Sequence, residues 1–409
     1  MQKQIRVQVS GRFGVDGLLA GLPAGALWQC NLLTTLLWIG ILTAPPRYRG
    51  FDLSTFWAWL RYASAISDHH PGLRLKPIWT EIDTHQKSVM SDDFGMGFSC
   101  HYLAEQHGIQ AFANTSYLLD ALVGVTALRP SRRGPAKSPD FVGIDTTGGL
   151  HILECKGTQS SIDYLWTAIE NGIPQKDNFT NSTPFASSMV GGIFVPQHSS
   201  EEDALLLYVD PKPDRRFRAM ATMSHERIAA AIYRISLAKE LMAAGLWRTA
   251  TAVEGRERPA FLQTVLGIDA ELAFAGFVRD GRSWRHTMEY RSIETDPVLS
   301  ETEKQFKEYA RRTSLKVEMN DEVVEFAREV RALDSRGAHE TADRIIADRA
   351  RDRRRTRSVR IRSRGTEQAP FRARTRQVES AWDEQTLSPT SAALTGPSGI
   401  RFELSREES

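Results

Sequence analysis

The sequence predicts an α/β protein whose central segment, residues 91–215, forms a mixed sheet. The main observation is a pair of short apolar segments, DFVGI and LHILECK (140–144 and 150–156), joined by a turn of sequence Thr-Thr-Gly-Gly. Two such segments on either side of a tight polar turn are typical of a β-hairpin. Helical patterns stand before and after this hairpin, which indicates one layered α/β unit.

The predicted elements of the central segment follow one another in a simple order. Gly108 is predicted to end the first helix, since glycine is the usual residue after a helix terminus. Gly172 closes the second helix in the same way. The elements are a helix, a strand, the hairpin, a helix and two strands (97–109, 121–128, 140–156, 160–172, 189–196 and 204–210).

The regions on both sides of this core are predicted to be mainly helical. Residues 1–90 form an N-terminal region of unknown role, and residues 216–347 form a second helical region. Within the latter, SETEKQFKEYARR (300–312) is predicted as a helix that begins after Ser300. Residue 320 is predicted to cap a further helix.

Residues 348–409 are predicted to be an arginine-rich, flexible C-terminal tail. Between residues 349 and 376 there are twelve arginines and two acids, a local charge of +10. A block of this kind either binds a polyanion or is simply a solvated charge run. Its single aromatic residue, Phe371, offers little for base stacking, and both interpretations stay open.

The overall composition is that of an ordinary globular protein. Apolar residues make up 41% and charged residues 25% of the chain, and the net charge is only +2. The three cysteines are far apart, so they support neither a disulfide framework nor a zinc ribbon. This usage predicts a reducing, cytoplasmic location.

An uncharged stretch at residues 17–44 has two interpretations. Pro23 splits the stretch and polar residues at 29, 31, 34 and 35 interrupt the rest, whereas a transmembrane helix needs roughly 20 apolar residues. We therefore predict a buried core helix and no stable association with a membrane. A membrane anchor is the alternative.

The hairpin carries the residues with the clearest chemistry. Because successive strand residues point to opposite faces, Glu154 and Lys156 share one face and Cys155 points to the other. Asp140 stands at the start of the neighbouring strand and is expected to reach the same point. Two carboxylates and the backbone carbonyl of Cys155 are ligands that suit Mg²⁺ or Mn²⁺. Lys156 would then orient the attacking water and stabilise developing negative charge.

These residues form a pattern that resembles the PD-(D/E)xK nuclease superfamily, which includes restriction enzymes, repair nucleases and archaeal junction resolvases. The pattern is Pro139-Asp140-Phe141, twelve residues, then Glu154-Cys155-Lys156. The resemblance covers roughly residues 95–210 and implies a restriction-endonuclease-like αβββαβ core with a mixed central sheet. It also implies metal-dependent cleavage of phosphodiester bonds, with Asp140, Glu154 and Lys156 as catalytic residues.

The same resemblance points to further positions. Many members carry an acidic residue on the first core helix that joins the metal site, and Glu105 takes that place here; a solvent-facing glutamate is the alternative. Some exonuclease-like members carry Gln-x-x-x-Tyr on the helix after the lysine strand. Gln175 fits this pattern except that Phe179 replaces the tyrosine, and Pro174 leaves open whether Gln175 lies on that helix. Gln175 and Lys176 are therefore hypothetical nucleic-acid contacts.

The predicted partner is DNA, with RNA as an alternative. Arg132, Arg133 and Lys137 lie in the loop that leads into Asp140, where cations would neutralise backbone phosphates. The rival hypothesis is a nucleic-acid-binding module with a nuclease fold and little or no catalysis. The sequence leaves open whether the chain forms a homodimer or works with a partner subunit.

Overall fold

The hairpin lies within a seven-stranded mixed sheet in the computed structural model. The structure describes residues 1–13, 25–47, 62–122, 138–176, 185–211, 224–255, 267–297, 306–333, 336–344 and 382–408. The strands of this sheet are β1 Gln2–Val9, β2 Ala26–Asn31, β3 Ile109–Asn114, β4 Phe141–Asp145, β5 Leu150–Thr158, β6 Ser187–Phe194 and β7 Leu205–Val209.

The strand order is β2-β1-β7-β6-β5-β4-β3. Strands β5 and β6 pair in parallel, as do β1 and β7, and the other neighbours are antiparallel. Every residue of β6 and β7 is buried, as expected for strands with a layer on both faces. The prediction of an α/β protein with a mixed sheet is therefore confirmed.

Helices cover both faces of this sheet. They are α1 Leu32–Thr43, α2 Thr84–His107, α3 Thr115–Ala121, α4 Ile162–Lys176, α5 His225–Ala243, α6 Trp247–Glu254, α7 Ile268–Phe274 and α8 Asp321–Ala332, with short 3-10 helices at Gly11–Phe13 and Pro77–Glu81. Helices α1 and α2 pack with Leu153 and Cys155 in one core cluster. Helix α4 packs on the opposite face, where Leu165 and Ile169 contact Val190.

The ends of helix α2 follow local sequence rules. The Asp83 side chain accepts a hydrogen bond from the backbone N–H of His85 at 2.8 Å, which satisfies one of the unpaired donors of the first turn. Gly108 ends the helix with a φ of 65°, a conformation that glycine adopts without steric cost. The predicted end at Gly108 is thus confirmed, although the helix begins earlier than predicted, at Thr84.

A second, six-stranded sheet is built entirely from antiparallel pairs. Its strands are β8 Val278–Asp280, β9 Ser283–Pro297, β10 Phe306–Asn320, β11 Asp383–Ser388, β12 Ser391–Thr395 and β13 Arg401–Glu408. They are ordered β11-β12-β13-β10-β9-β8. The final strands of the chain therefore pair with a hairpin that lies about 90 residues earlier in the sequence.

This sheet corrects two predictions. The predicted helix at 300–312 is wrong from residue 306 onward, because β10 begins there; Leu315, Val317 and Met319 are buried at every second position, which is the period of a strand. The C-terminal region is also ordered from residue 382 to 408 and is not a flexible tail there. The arginine-rich block 349–376 lies outside the described residues.

Two predictions for the first half of the chain are also corrected. The described part of residues 1–90 is not mainly helical, because β1 and β2 lie there and extend the main sheet at the edge opposite β3. The strand predicted at 121–128 is wrong at its start, since Ala121 ends helix α3; the rest of that stretch lies outside the described residues. The strand that pairs with β4 is instead β3, directly after helix α2.

Helix α1 accounts for part of the uncharged stretch. It is twelve residues long, and eleven of them are buried, so the prediction of a buried core helix is confirmed for Leu32–Thr43. Asn31 begins it by accepting a hydrogen bond from the N–H of Leu33 at 3.1 Å. Among the described residues, no helix combines the length and the apolar character needed to cross a membrane.

Candidate active site at the open end of the hairpin

The open end of the β4–β5 hairpin brings the predicted acids and lysine together. The strands pair from Ile144 with Leu150 to Phe141 with Leu153, so Asp140 stands just beyond the last pair. Its Oδ2 accepts a hydrogen bond from the backbone N–H of Cys155 at 2.8 Å. Because the N–H and C=O of a strand residue point to the same side, the Cys155 carbonyl also faces Asp140.

Strand alternation places Glu154 and Lys156 on the face covered by helix α4, as predicted. The Lys156 ammonium donates a hydrogen bond to Glu154 Oε1. Helix α4 crosses directly above this pair, because a methyl group on Gly172 would lie 3.2 Å from both Glu154 Cγ and Lys156 Cε. Glycine at 172 therefore permits the close approach that covers the site.

Gln175 lies on helix α4 and contacts the same pair. The predicted end of this helix at Gly172 is wrong, because the helix runs through Gly172 and Pro174 to Lys176. The amide orientation that satisfies both neighbours places Gln175 Nε2 3.0 Å from Glu154 Oε1, and Gln175 Oε1 3.3 Å from the ammonium of Lys156. The hypothesis that Gln175 belongs to the site gains a direct geometric basis.

Burial dominates the electrostatics of these groups. Burial, followed by the charge of Asp140, raises the pKa of Glu154 to about 8, against the charge and hydrogen bond of Lys156 and the nearby backbone N–H of Asp140, which lower it. Burial also raises the pKa of Asp140, although the Cys155 N–H and the charge of Lys156 oppose the rise. For Lys156, burial opposes the charged form, but the charge and hydrogen bond of Glu154 outweigh it and raise the pKa.

One oxygen of this site has no partner. Glu154 is 1% exposed, and its Oε2 is buried without any hydrogen bond among the described residues. An unpaired carboxylate oxygen in such a place costs free energy unless a donor or a cation meets it. Asp140, Glu154 and the Cys155 carbonyl together form a set of hard oxygen ligands that fits a small divalent cation.

Sequence reasoning missed Asp92, the acid of helix α2 that acts on this site. The charge of Asp92 raises the pKa of Asp140, and the charge of Lys156 lowers that of Asp92, whose pKa is raised overall by partial burial. Helix α2 can approach because β5 carries a glycine here: a methyl group on Gly157 would lie 1.7 Å from the Ser91 carbonyl. The only feature of the sequence that could have indicated this role is the pair of adjacent acids at 92 and 93.

The prediction that Glu105 joins this site is wrong. Glu105 lies on the same helix as Asp92 but about 20 Å further along its axis at 1.5 Å per residue. Its carboxylate accepts hydrogen bonds from the Trp28 indole at 2.8 Å and from the Gln106 amide at 3.1 Å. The first-helix acid near Asp140, Glu154 and Lys156 is thus at 92, about four turns before Glu105.

The predicted nucleic-acid contacts have mixed outcomes. Lys176 is fully buried, and its ammonium donates to Ser188 Oγ at 3.2 Å and to the Pro211 carbonyl at 2.9 Å. A side chain enclosed in this way cannot reach a phosphate, so the Lys176 prediction is wrong. Arg132, Arg133 and Lys137 lie outside the described residues, as does Phe179.

The turn end of the same hairpin holds a second polar chain. His151 Nε2 lies 2.9 Å from Asp145 Oδ2, and His151 Nδ1 lies 2.8 Å from Ser187 Oγ. The other oxygen of Asp145 accepts hydrogen bonds from the N–H groups of Thr147 and Gly149 at 2.7 and 2.8 Å. All three members of the chain are nearly fully buried, so it links β4, β5 and β6 rather than offering an exposed nucleophile.

The search for related proteins gave no further guide. Comparisons with protein-family models, with curated proteins and with solved structures produced no match.

Proposed function

We propose that this chain is a metal-dependent nuclease that hydrolyses phosphodiester bonds, most simply in DNA. The observation that carries the proposal is the buried, unpartnered Oε2 of Glu154, which lies beside Asp140, Lys156 and Gln175. A site that only stabilised the fold would be expected to complete its hydrogen bonds. A carboxyl group with a strongly raised pKa next to a lysine is instead typical of a functional centre.

The order of elements supports a restriction-endonuclease-like core. Helix α2 is followed by strands β3, β4 and β5, then helix α4 and strand β6, with the short helix α3 inserted between β3 and β4. Strand β6 pairs in parallel with β5, and helix α4 supplies the crossover connection that a parallel pair needs. This is the αβββαβ order that the resemblance implies, with Asp140 at the start of its second strand and Glu154 and Lys156 within its third.

The residues fit Mg²⁺ or Mn²⁺, which Asp140, Glu154 and the Cys155 carbonyl would hold. Such a cation, when bound, lowers the pKa of a water molecule and stabilises negative charge on phosphate oxygens. Lys156 stays protonated, because its pKa is raised, so it acts as a hydrogen-bond donor and positive charge rather than as a base. Its ammonium orients the attacking water and offsets the charge that develops on the phosphate. Gln175 holds the Glu154 and Lys156 side chains in place.

The direct test measures cleavage of supercoiled plasmid, linear duplex DNA, single-stranded DNA and RNA with Mg²⁺ or Mn²⁺. We expect Lys156→Ala to lose activity by about 100-fold or more, the size of effect seen when a charge-stabilising donor is removed. Lys87→Ala is the matched control, since the Lys87 ammonium bonds to the Thr80 carbonyl on the surface. Thermal melting establishes that both variants fold.

Two results would overturn the proposal. A folded Lys156→Ala variant that cuts as fast as the parent would remove the lysine from the chemistry. Salt-sensitive DNA binding by the parent, without cleavage of any of the four substrates, would favour the nucleic-acid-binding module instead.

A further inference from the structure

A second cluster of ionisable side chains lies well away from the hairpin site. His101 and Glu105 are one helical turn apart on α2, and Glu384 comes from strand β11 of the other sheet. His101 Nε2 lies 2.9 Å from Glu384 Oε2 and 3.9 Å from Glu105 Oε2. These three atoms all lie within 4.8 Å of one another, the only such group of three among the described residues.

Each member of the cluster makes a further hydrogen bond, on the other side of the group for His101 and Glu384 and on the ligand oxygen itself for Glu105. The indole N–H of Trp28 donates to Glu105 Oε2 at 2.8 Å, and that of Trp38 donates to Glu384 Oε1 at 3.3 Å. His101 Nδ1 lies 2.9 Å from the hydroxyl of Thr35. Residues that orient ligands in this way are characteristic of metal sites, where each ligand is fixed by a second hydrogen bond.

The contact with Thr35 is compatible with the tautomer that a metal requires. The Thr35 hydroxyl lies 2.9 Å from Nδ1 and also contacts the Asn31 carbonyl at 3.4 Å and Cys30 Sγ at 3.1 Å, so it can donate to one of the latter and accept from Nδ1–H. With the proton on Nδ1, the lone pair of a neutral imidazole is on Nε2, the nitrogen that faces both carboxylates. His101 is 1% exposed, which holds the ring in this orientation.

Charge balance favours a divalent cation at this point. Without an ion, Nε2 carries a proton that Glu384 accepts at 2.9 Å, because burial acts to lower the pKa of His101 but the Glu384 carboxylate outweighs it and raises that pKa well above its usual value. A metal displaces that proton, and the neutral imidazole with two carboxylates then gives a charge of −2, which a divalent ion neutralises. Ligand atoms about 2.0–2.2 Å from a tetrahedral Zn²⁺ lie roughly 3.3 Å apart. The two distances from Nε2, 2.9 and 3.9 Å, bracket that value, so small side-chain rotations bring the atoms into place.

We propose that His101, Glu105 and Glu384 bind a divalent first-row transition metal such as Zn²⁺. Imidazole with carboxylates suits these metals, whereas the all-oxygen set of the hairpin suits Mg²⁺. Three protein ligands leave a fourth position for water, on the side where Glu105 reaches solvent. The ion ties helix α2 to strand β11, two elements that are 283 residues apart in the chain.

This site is tested by metal binding to the whole protein. We expect one equivalent of Zn²⁺ or Co²⁺ in calorimetry, a visible Co²⁺ absorption spectrum, and a rise in melting temperature on adding Zn²⁺, because a ligand that binds only the folded state stabilises it. Mg²⁺ at the same concentration should give no signal from this cluster: any heat or rise in melting temperature with Mg²⁺ should come from the hairpin site and disappear in Asp140→Asn, whereas the Zn²⁺ signals should persist in that variant. None of the three measurements depends on nuclease activity.

The variants are Glu384→Gln and Glu105→Gln, with Asp383→Asn as the matched control. Losing an outer hydrogen bond alone weakens metal binding about 10–100-fold, so either Gln variant should weaken Zn²⁺ binding by at least 100-fold. Glu105 is at the surface, so its variant should fold even if Glu384→Gln does not. Asp383 precedes Glu384 on β11 and is exposed; its variant should bind Zn²⁺ like the parent.

Two outcomes would overturn the assignment. A parent protein that binds neither Zn²⁺ nor Co²⁺ more tightly than Mg²⁺ would identify the cluster as a simple histidine–carboxylate ion pair. A folded Glu105→Gln variant with undiminished Zn²⁺ affinity would place the ion elsewhere. Lys156→Ala should retain the full Zn²⁺ signal, which separates this site from the proposed nuclease centre.

Discussion

The two ends of the β4–β5 hairpin each bury an acid, but only one end completes its hydrogen bonds. At the turn end, Asp145 accepts from His151, Thr147 and Gly149. At the open end, Glu154 has one oxygen bonded to Lys156 and the other buried without a partner among the described residues. The two ends belong to the same pair of strands, so the difference comes from the side chains around them.

The pKa shifts at the two ends have opposite signs. Burial acts to raise the pKa of Asp145, but the hydrogen bonds of His151, Thr147 and Gly149 outweigh it and lower the pKa to about 2. Burial raises the pKa of Glu154 to about 8. A buried acid whose charge is fully met stabilises the fold, whereas one whose charge is not met is available to a ligand.

The largest expected effect tests the open end. We expect Asp140→Asn to reduce cleavage by about 100-fold or more, because it removes one of the two carboxylates that would hold the metal. The amide oxygen still accepts from the Cys155 N–H, so the melting temperature should change little. Plasmid nicking and thermal melting measure both quantities. An Asp140→Asn variant with parental activity would show that the two ends do not differ in the way proposed.

The next effect tests the turn end. Asp145→Asn should lower the free energy of unfolding by about 2 kcal/mol at pH 7, since a pKa near 2 in place of 3.8 is worth about 1.4 kcal/mol per unit. A carboxylate whose pKa is lowered by folding stabilises the fold at pH values above its pKa in the unfolded chain. The difference in unfolding free energy between parent and variant should therefore shrink as the pH falls from about 4 to 2. Urea unfolding of the parent and the variant over that pH range measures this difference.

Cleavage provides the control for this second variant. Under conditions where Asp145→Asn remains folded, its rate of DNA cleavage should equal that of the parent. A pH-independent loss of stability would argue against the hydrogen-bonded carboxylate as the cause.

The smallest expected effect concerns Gln175, because this residue positions the Glu154 and Lys156 side chains at the open end of the hairpin. Gln175→Ala removes two hydrogen bonds of a neutral amide, one donated to Glu154 and one accepted from Lys156, each worth about 1 kcal/mol. We expect roughly a ten-fold slower cleavage and little change in melting temperature. Asn171→Ala, one turn earlier on α4 and exposed, is the control. Equal rates for the two variants would remove Gln175 from the site.

Much of the acid–lysine pattern could be predicted because it depends on local periods. Alternation along β5 places Glu154 and Lys156 on one face whatever the surroundings, and the turn between the strands brings Asp140 beside them. The mixed α/β sheet followed from the same patterns of apolar residues. Strand β10 could not be distinguished from a helix by its residue pattern. Charged residues in its first half fit both the two-residue period of a strand and the 3.6-residue period of a helix.

Other parts of the site depend on contacts that no local pattern records. Asp92 acts on Asp140 only because Gly157 lets helix α2 approach β5. Glu105 was assigned to the wrong cluster, since its partner Glu384 comes from a strand almost 280 residues away. That strand lies in the segment predicted as a flexible tail, and the strands β8, β9 and β10 beside it lie in the region predicted as helical.

The sequence by itself therefore determined the hairpin, its two acids and its lysine, because these follow from residue spacing along adjacent strands. Only the tertiary structure decided which groups surround them. Helix α4, which packs closely through its own Gly172, buries Glu154 and supplies Gln175, and helix α2 supplies Asp92. The burial and the charges at this site are set by helices that are packed against the hairpin through long-range contacts. A local residue pattern carries no information about such contacts.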